Sequence, residues 1–301
     1  MASQPLLSVI VPTYRRERQL AACLGALGEL AGETVTHEVI IVDDGSEQPP
    51  QRVVAAAADR LSVRLLCRPH RGPAAARNAG AAEARGRYLV FLDDDCLPAR
   101  DWLTALAARI TSAPDCALAG RTVNLCPRDL CAETSQLMVD YLHQFHQRSD
   151  GSTSFGTSNN LALPAAAFRA VGGFDETFVL AAGEDRDLCA RLDEQGIRLV
   201  FANDVVVYHD HALTLGAFIR QQFNYGAGGY AFRRSLARRG GRSLRLESPA
   251  FYTGLVTHPC SRSVTPRAVA SSALGALAQL AVAAGFVWAR AFSAPGRSNR
   301  R

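Results

Sequence analysis

The chain has 301 residues, 48% of them hydrophobic, a length and balance that allow one large or two small domains and exclude wholesale disorder. Formal net charge is +5, and all 33 basic side chains are arginine. The eight cysteines are scattered without a CxxC pair or a completing His cluster, so they read as reduced core thiols rather than a zinc module.

Residues 7–11 (LSVIV) read as a buried strand closed by Pro12, and 18–30 place Leu20, Leu24 and Leu27 on one helical face. A second buried strand, 38–42, runs into Asp43-Asp44-Gly45-Ser46. Residues 51–60 are helical, 63–66 form a third strand, and 74–85 form a helix begun after Gly72-Pro73, where proline suits the first turn. The fourth strand, 88–92 (YLVFL), ends in Asp93, Asp94 and Asp95. Helix 102–110 follows, then 154–163 (SFGTSNNLAL) as a turn-rich entry to a strand, and a short helix at 165–171. Helix 184–195 turns Leu188 and Leu192 inward and is closed by Gly196. Two separate strands, 199–201 and 205–208, precede a helix at 215–230. Alternating strands and helices imply an α/β fold with a mainly parallel sheet, whose ligand lies beyond the carboxyl ends of the strands. Pro12-Thr13-Tyr14, Asp43-Asp44 and the three aspartates all close such strands and are expected to converge.

The C-terminal part is basic: 233–245 read RRSLARRGGRSLR and the last residues GRSNRR. An anionic surface and a solvated tail both account for this. Residues 268–289 carry no formal charge, a length that can span a bilayer, but alanine, Ser271, Ser272, Gln279 and two glycines make them weakly apolar. A helix packed on the α/β domain, or lying in the membrane interface, fits as well. The apolar run LLSVIVP has no basic region before it and no small-residue cleavage site after it, so it reads as a strand rather than a leader. The expected location is the cytoplasm, at the inner face of the cell membrane.

Three adjacent aspartates at the end of a buried strand repel one another. A hard divalent cation, Mg²⁺ or Mn²⁺, makes the cluster favourable; without one it is a hydrated acidic loop. Gly183-Glu184-Asp185-Arg186-Asp187 opens a helix, where acids also complement the dipole. His209 and His211 follow a strand, as structural histidines or as ligands.

The ordered set SVIVPTYRR, VIIVDDGS, GPAAARNAG, YLVFLDDDCLP, GGFDE, GEDRDL and VYHDH resembles family 2 glycosyltransferases of GT-A fold, over about residues 7–233. The resemblance implies a Rossmann-like, mixed, mostly parallel sheet flanked by helices, with a transferase domain at 1–235 and a basic, apolar helical extension at 236–301. It implies that Pro12, Thr13, Tyr14 and Asp44 cradle the nucleotide base, with Arg71 and Arg77 near base and diphosphate. Asp94 contacts ribose or sugar, Asp95 binds the metal with Asp93 assisting, and His209 or alternatively His211 is a further ligand. Asp185 matches the catalytic base. Asn159, Asn160 and Glu184 frame the acceptor side, where Asn159 and Asn160 read equally well as turn residues satisfying their own backbone. The implied enzyme moves a sugar from a nucleotide-sugar, UDP foremost, to a glycan, lipid-linked or small-molecule acceptor with inversion. A QxxRW motif, carried by processive members, is absent where Gln221-Gln-Phe-Asn-Tyr-Gly226 stands, so single addition is expected. The chain lacks GxGxxG and P-loop motifs, against dinucleotide or nucleotidyl chemistry, and no nucleic-acid motif accompanies the arginine-rich tail. The alternative is a non-catalytic nucleotide-sugar or glycan binder with a decayed site.

Overall fold

The first strand, β1 (Leu7–Thr13), decides the layering, because it is buried on both faces: Leu7, Val9 and Val11 join one core and Ile10 the other. The computed structural model describes residues 4–30, 35–178, 180, 182–240, 247–261 and 263–292. After β1 come α1 (Glu17–Glu29), β2 (His37–Asp43), α2 (Gln51–Ala57), β3 (Val63–Cys67), α3 (Pro73–Glu83) and β4 (Tyr88–Leu92), each within a few residues of its expected bounds. Next are β5 (Cys96–Pro98), α4 (Trp102–Ser112), β6 (Ala117–Asn124), α5 (Leu130–His146), β7 (Asn160–Pro164), α6 (Ala165–Ala170), α7 (Glu184–Glu194) and β8 (Leu199–His209). Three α-helices, α8 (Leu215–Arg238), α9 (Pro249–Thr257) and α10 (Pro266–Phe292), finish the described chain, with a 3₁₀ turn at His258–Cys260 between the last two.

One mixed sheet runs β3-β2-β1-β4-β7-β6-β8-β5. The first four strands in that order are parallel; β7 is antiparallel to β4 and β6, while β8 is parallel to β6. Helices α1, α2 and α4 cover one face through Leu20, Leu24, Val54, Trp102 and Leu106. Helices α3, α6 and α7 cover the other through Ala76, Phe168 and Leu188. Phe91, Phe168 and Phe174 meet there with ring centroids 5.0–5.7 Å apart, aromatic packing that adds to the burial of each ring. The parallel strands therefore deliver their carboxyl ends to one edge, as the sequence implied.

Two expectations change. The separate strands at 199–201 and 205–208 are one strand, β8, whose pairing with β6 slips at Gly120/Arg121: Gly120 faces Ala202 but Arg121 faces Val206. Asn203 and Asp204, between the two expected strands, lie in this bulge. The expected domain boundary at 235 falls inside α8. Beyond it α10 returns to lie along α8 and α5. The crossing is close: a Cβ on Gly226 would sit 1.9 Å from the Val282 carbonyl oxygen, and one on Gly285 would sit 1.9 Å from that of Phe223. Only glycine at both positions admits that approach. Residues 241–246 of the basic run and 293–301 of the tail lie outside the described residues.

Candidate active site

The three aspartates form the turn from β4 into β5, closed by the Cys96 N–H donating to the Asp93 carbonyl at 3.1 Å. β5 then pairs antiparallel with β8, setting Cys96 opposite His209, and the Asp210 N–H donates to the Asp95 carbonyl at 2.9 Å. Three residues of strand thus bring Asp95 beside His209. The ligand atoms of Asp95, His209 and His211 lie within 4.8 Å of one another. Asp95 Oδ1 is 3.3 Å from His209 Nε2, and Oδ2 is 4.0 Å from His211 Nδ1. The two imidazoles stack with centroids 4.7 Å apart and planes at 6°. Asp95 Oδ1 is buried and receives no hydrogen bond of good geometry. A buried, under-satisfied carboxylate oxygen beside His209 Nε2, with His211 Nδ1 near its partner oxygen, fits a divalent cation, and two imidazoles favour a transition-metal dication over Mg²⁺. Asp93 is not in this group; its carboxylate turns away to Arg77.

A guanidinium shares the acidic turn. Arg15 adopts φ 55°, in the left-handed region, held by its N–H on Ser46 Oγ (2.8 Å) and its side chain on Glu47. The next residue, Arg16, reaches Asp94 Oδ1 at 3.2 Å and Asp95 Oδ2 at 2.7 Å. Thr13 Oγ1 donates to Asp94 Oδ2 at 2.7 Å. Burial, against the opposing charge of Arg16, lifts the Asp94 carboxyl to about 6. Burial also opposes ionisation of Asp95, but its close contact with His209 Nε2 and the charges of His209 and Arg16 hold it well below the usual carboxylate range. Burial and the His209 charge push the His211 imidazole down to about 4, leaving it neutral and able to ligate.

His211 is aimed from behind. Its Nε2 lies 3.1 Å from the Gln221 amide of α8, whose oxygen is 3.5 Å from Ser135 Oγ, while Nδ1 faces Asp95. Such outer contacts fix which nitrogen is presented to a metal. Gln221→Leu is expected to weaken Mn²⁺ binding about 10-fold, read by electron paramagnetic resonance of free Mn²⁺, with folding unchanged. Unchanged affinity would remove Gln221 from the site.

At the start of α7, Gly183 (φ 92°) turns the chain, and Asp185 stands partly exposed in the first turn. The turn presses on Gly228 of α8: a Cβ there would lie 2.2 Å from the Ala182 carbonyl oxygen. Asp185 Oδ1 accepts from the Arg186 N–H at 2.8 Å, and burial raises its carboxyl above the ordinary value against the nearby charges of Arg77 and Arg186. Arg77, 3% exposed, ties the two halves together, donating to Asp93 at 2.7 Å and to Glu184 at 3.1 Å with its guanidinium 5.5 Å from the Phe174 ring. Its expected place beside base and diphosphate is corrected: α3 buries it as a brace between carboxylates. Glu184, expected on the acceptor side, is likewise 3% exposed beneath Arg77, and burial and the Asp185 charge push its carboxyl up.

At the ends of β1 and β2, Asp44 accepts from the backbone N–H groups of Arg71 (3.0 Å) and Gly72 (2.8 Å), and its carboxylate meets His70 at 2.8 Å. Tyr14 stacks on His70 with centroids 4.3 Å apart. These contacts fold loop 68–72 over the ends of β1 and β2, next to Pro12 and Thr13. Arg71 reaches Glu176 at 3.3 Å and is otherwise exposed. Asn159 accepts from Thr157 (2.7 Å) and Thr122 (3.2 Å). Asn160 is not an acceptor-side residue: it is 2% exposed, donates to the Arg121 and Val205 carbonyls and accepts from Trp102 Nε1. It satisfies the carbonyls that the β8 bulge frees.

Sequence reasoning missed Arg16, Gln221 and Tyr225. Tyr225 is part-exposed, and its phenol is pushed up by its surroundings and by the charges of Asp185, Glu184, Asp93 and Asp95. The signal for Gln221 and Tyr225 was their place in the segment where QxxRW was sought.

Residues 8–171, more than half of the chain, match the model of Glycosyl transferase family 2. The chain belongs to that family. A further model, the N-terminal domain of galactosyltransferase, matches 138–211, the part that contains Asp185 and His209. Among relatives in this family, a pre-mycofactocin glycosyltransferase of Mycobacterium tuberculosis is 33% identical over 231 residues, 73% of this chain and 46% of the relative. A validoxylamine A glucosyltransferase of Streptomyces hygroscopicus subsp. limoneus is 32% identical over 228 residues, 66% of this chain and 50% of the relative. The chain thus spans about half the length of the curated relatives it matches. A mannosyltransferase of Pyrobaculum calidifontis, solved with GDP-Man and Mn²⁺, superposes with a TM-score of 0.61 at 21% identity, covering 99% of this chain and 77% of that one. S. aureus TarS residues 1–349 with UDP-GlcNAc gives 0.54 at 17% identity, covering 98% and 93%. These likenesses establish the GT-A-type fold of the family.

Proposed function

We propose that the chain is an inverting, metal-dependent glycosyltransferase that moves one sugar at a time from a nucleotide-sugar, a UDP-sugar foremost, to an acceptor hydroxyl. The observation that carries this reading is one crevice with two chemistries facing each other. The cation-ready set of Asp95, His209 and His211 stands on one side and the partly exposed Asp185 on the other, linked by Arg77, which bridges Asp93 of the acidic turn to Glu184, the residue before Asp185. Asp95, His209 and His211 would hold a divalent cation, which would supply positive charge for a leaving diphosphate. Pro12, Tyr14, Asp44 and Arg71 flank the base, and Asp94, fixed by Thr13, takes a ribose or sugar hydroxyl. Arg16, bonded to Asp94 and Asp95, adds a second positive charge at the same carboxylates, available to an anionic leaving group. An acceptor hydroxyl is a poor nucleophile until Asp185 removes its proton as the C–O bond forms. A single base acting from one face gives inversion without a covalent intermediate. Tyr225 lines the acceptor approach. Relatives each named for a single acceptor, pre-mycofactocin or validoxylamine A, support transfer to a discrete molecule.

Calorimetric titration of UDP, GDP and dTDP, with and without Mn²⁺, tests this. One nucleotide is expected to bind only with Mn²⁺, and Asp95→Ala to weaken that binding by about 100-fold, the upper range for losing an interaction of charged groups. No binding of any of the three, in either condition, would overturn the donor assignment.

A further inference from the structure

Helix α10 is 27 residues long, about 40 Å at the rise of an α-helix, and is buried along one side only. Ser271, Gly275, Ala278, Gly285 and Ala289 face α8 and α5. The opposite side exposes Val269, Leu277, Leu280, Val287, Trp288 and Phe292, at 42–74% of their surface. At 100° per residue most of these fall in one stripe, filled in by exposed alanines, with no charged side chain from 268 to 289. A contiguous exposed apolar stripe of this kind marks an interaction surface.

We infer that this face of α10 docks the protein on an anionic lipid bilayer, lying flat in the headgroup region. Charge identifies the occupant. From Ser248 to the end of the chain there is no Asp or Glu, and there are six arginines; Arg267 and Arg290, both exposed, bracket the apolar stripe. A second copy meeting this face symmetrically would set those arginines against their equals, whereas anionic headgroups neutralise them. Trp288 and Phe292 close the stripe at the end where Arg290 stands, an arrangement suited to an interface. The packing also selects lying over spanning. The buried side of α10 is held by α8 through the paired glycines, with Arg233 of α8 over Phe286 at 5.2 Å. A spanning α10 would carry α8 and its arginines into hydrocarbon, where charged groups are costly. Because α8 presents Gln221 to His211 and carries α10 against Gly226, docking sets the crevice about one helix diameter from the membrane surface.

The test uses the full chain and vesicles of phosphatidylcholine, alone or mixed with phosphatidylglycerol, in a sedimentation assay. The protein is expected to pellet with the mixed vesicles at least about tenfold more than with phosphatidylcholine alone, and less as salt rises. The double variant Leu280→Glu/Val287→Glu, at positions 68% and 64% exposed, is expected to stay in the supernatant with an unchanged circular dichroism spectrum and unchanged nucleotide affinity. Failure of the parent to pellet with mixed vesicles, or equal pelleting of the double variant, would overturn the inference. So would light scattering that shows a parent dimer split by the same variant, which would assign the face to a second copy.

Discussion

Asp185→Asn is expected to lower kcat by about 10³-fold, within the range for a general base, while Mn²⁺-dependent nucleotide affinity stays roughly unchanged. The separation follows from placement. Asp185 lies on α7, across the crevice from the acidic turn, and none of the contacts that shape the nucleotide side, Asp44 to loop 68–72 or Thr13 to Asp94, involves it. Asparagine keeps the size and an oxygen to accept from the Arg186 N–H. What it loses is the capacity to take a proton. A steady-state assay and calorimetry on the same variant distinguish this from collapse of the site, which would lower both. The parent should also show an acid limb in kcat/KM above the ordinary carboxylate range. Burial raises Asp185, only its ionised form is a base, and the rate therefore climbs with pH through that raised value. An acid limb at or below the ordinary value, or near-parent turnover in Asp185→Asn, would move the base elsewhere.

The elements up to β4 were legible because buried parallel strands read as short apolar runs and the helices between them carry one apolar face. Later elements were harder for particular reasons. β5 is three residues long and exists because it pairs with β8, so no local pattern marks it. β6, ALAGRTVN, is interrupted by glycine and arginine at the bulge. α5 did carry a signal that went unread: Asp129 caps the N–H groups of Cys131 and Ala132, and Leu137, Tyr141 and Phe145 follow four apart.

At the site, the sequence showed which chemistry was present but not who partners whom. Asp93, Asp94 and Asp95 read alike as letters; a three-residue strand gives one to a cation set, Arg16 and Thr13 hold another, and Arg77 takes the third. Asn159 and Asn160 read alike too, yet alternation on β7 turns Asn160 into the sheet beneath Gly120. Arg16 was hidden by its abundance, one arginine among 33. Its role comes from the left-handed Arg15, a property of the folded turn.

Arg77→Met is expected to destabilise the fold by ~3–5 kcal/mol, the usual result of removing one partner from a buried ion pair. Arg77 is 3% exposed and Glu184 3% exposed, whereas the Asp93 side chain is 30% exposed and remains hydrated. The loss therefore falls on Glu184, left with Asp185 as its neighbour and no countercharge. Its carboxyl is already raised by burial and by Asp185, and Arg77 is the group that opposes this. Without Arg77 it rises further in the folded state while its unfolded value stays ordinary. An acid with a raised folded value destabilises the fold as pH climbs from its unfolded value to its folded one, because the unfolded chain ionises first. The variant's deficit in Tm should be larger at pH 8 than at pH 5, on the order of 10 °C at the higher pH. Adding Glu184→Gln removes the stranded charge and should restore most of that stability, since neutralising both partners is far milder than removing one. A deficit equal at both pH values and untouched by Glu184→Gln would mean that Arg77 acts through its contact with Phe174 rather than through charge.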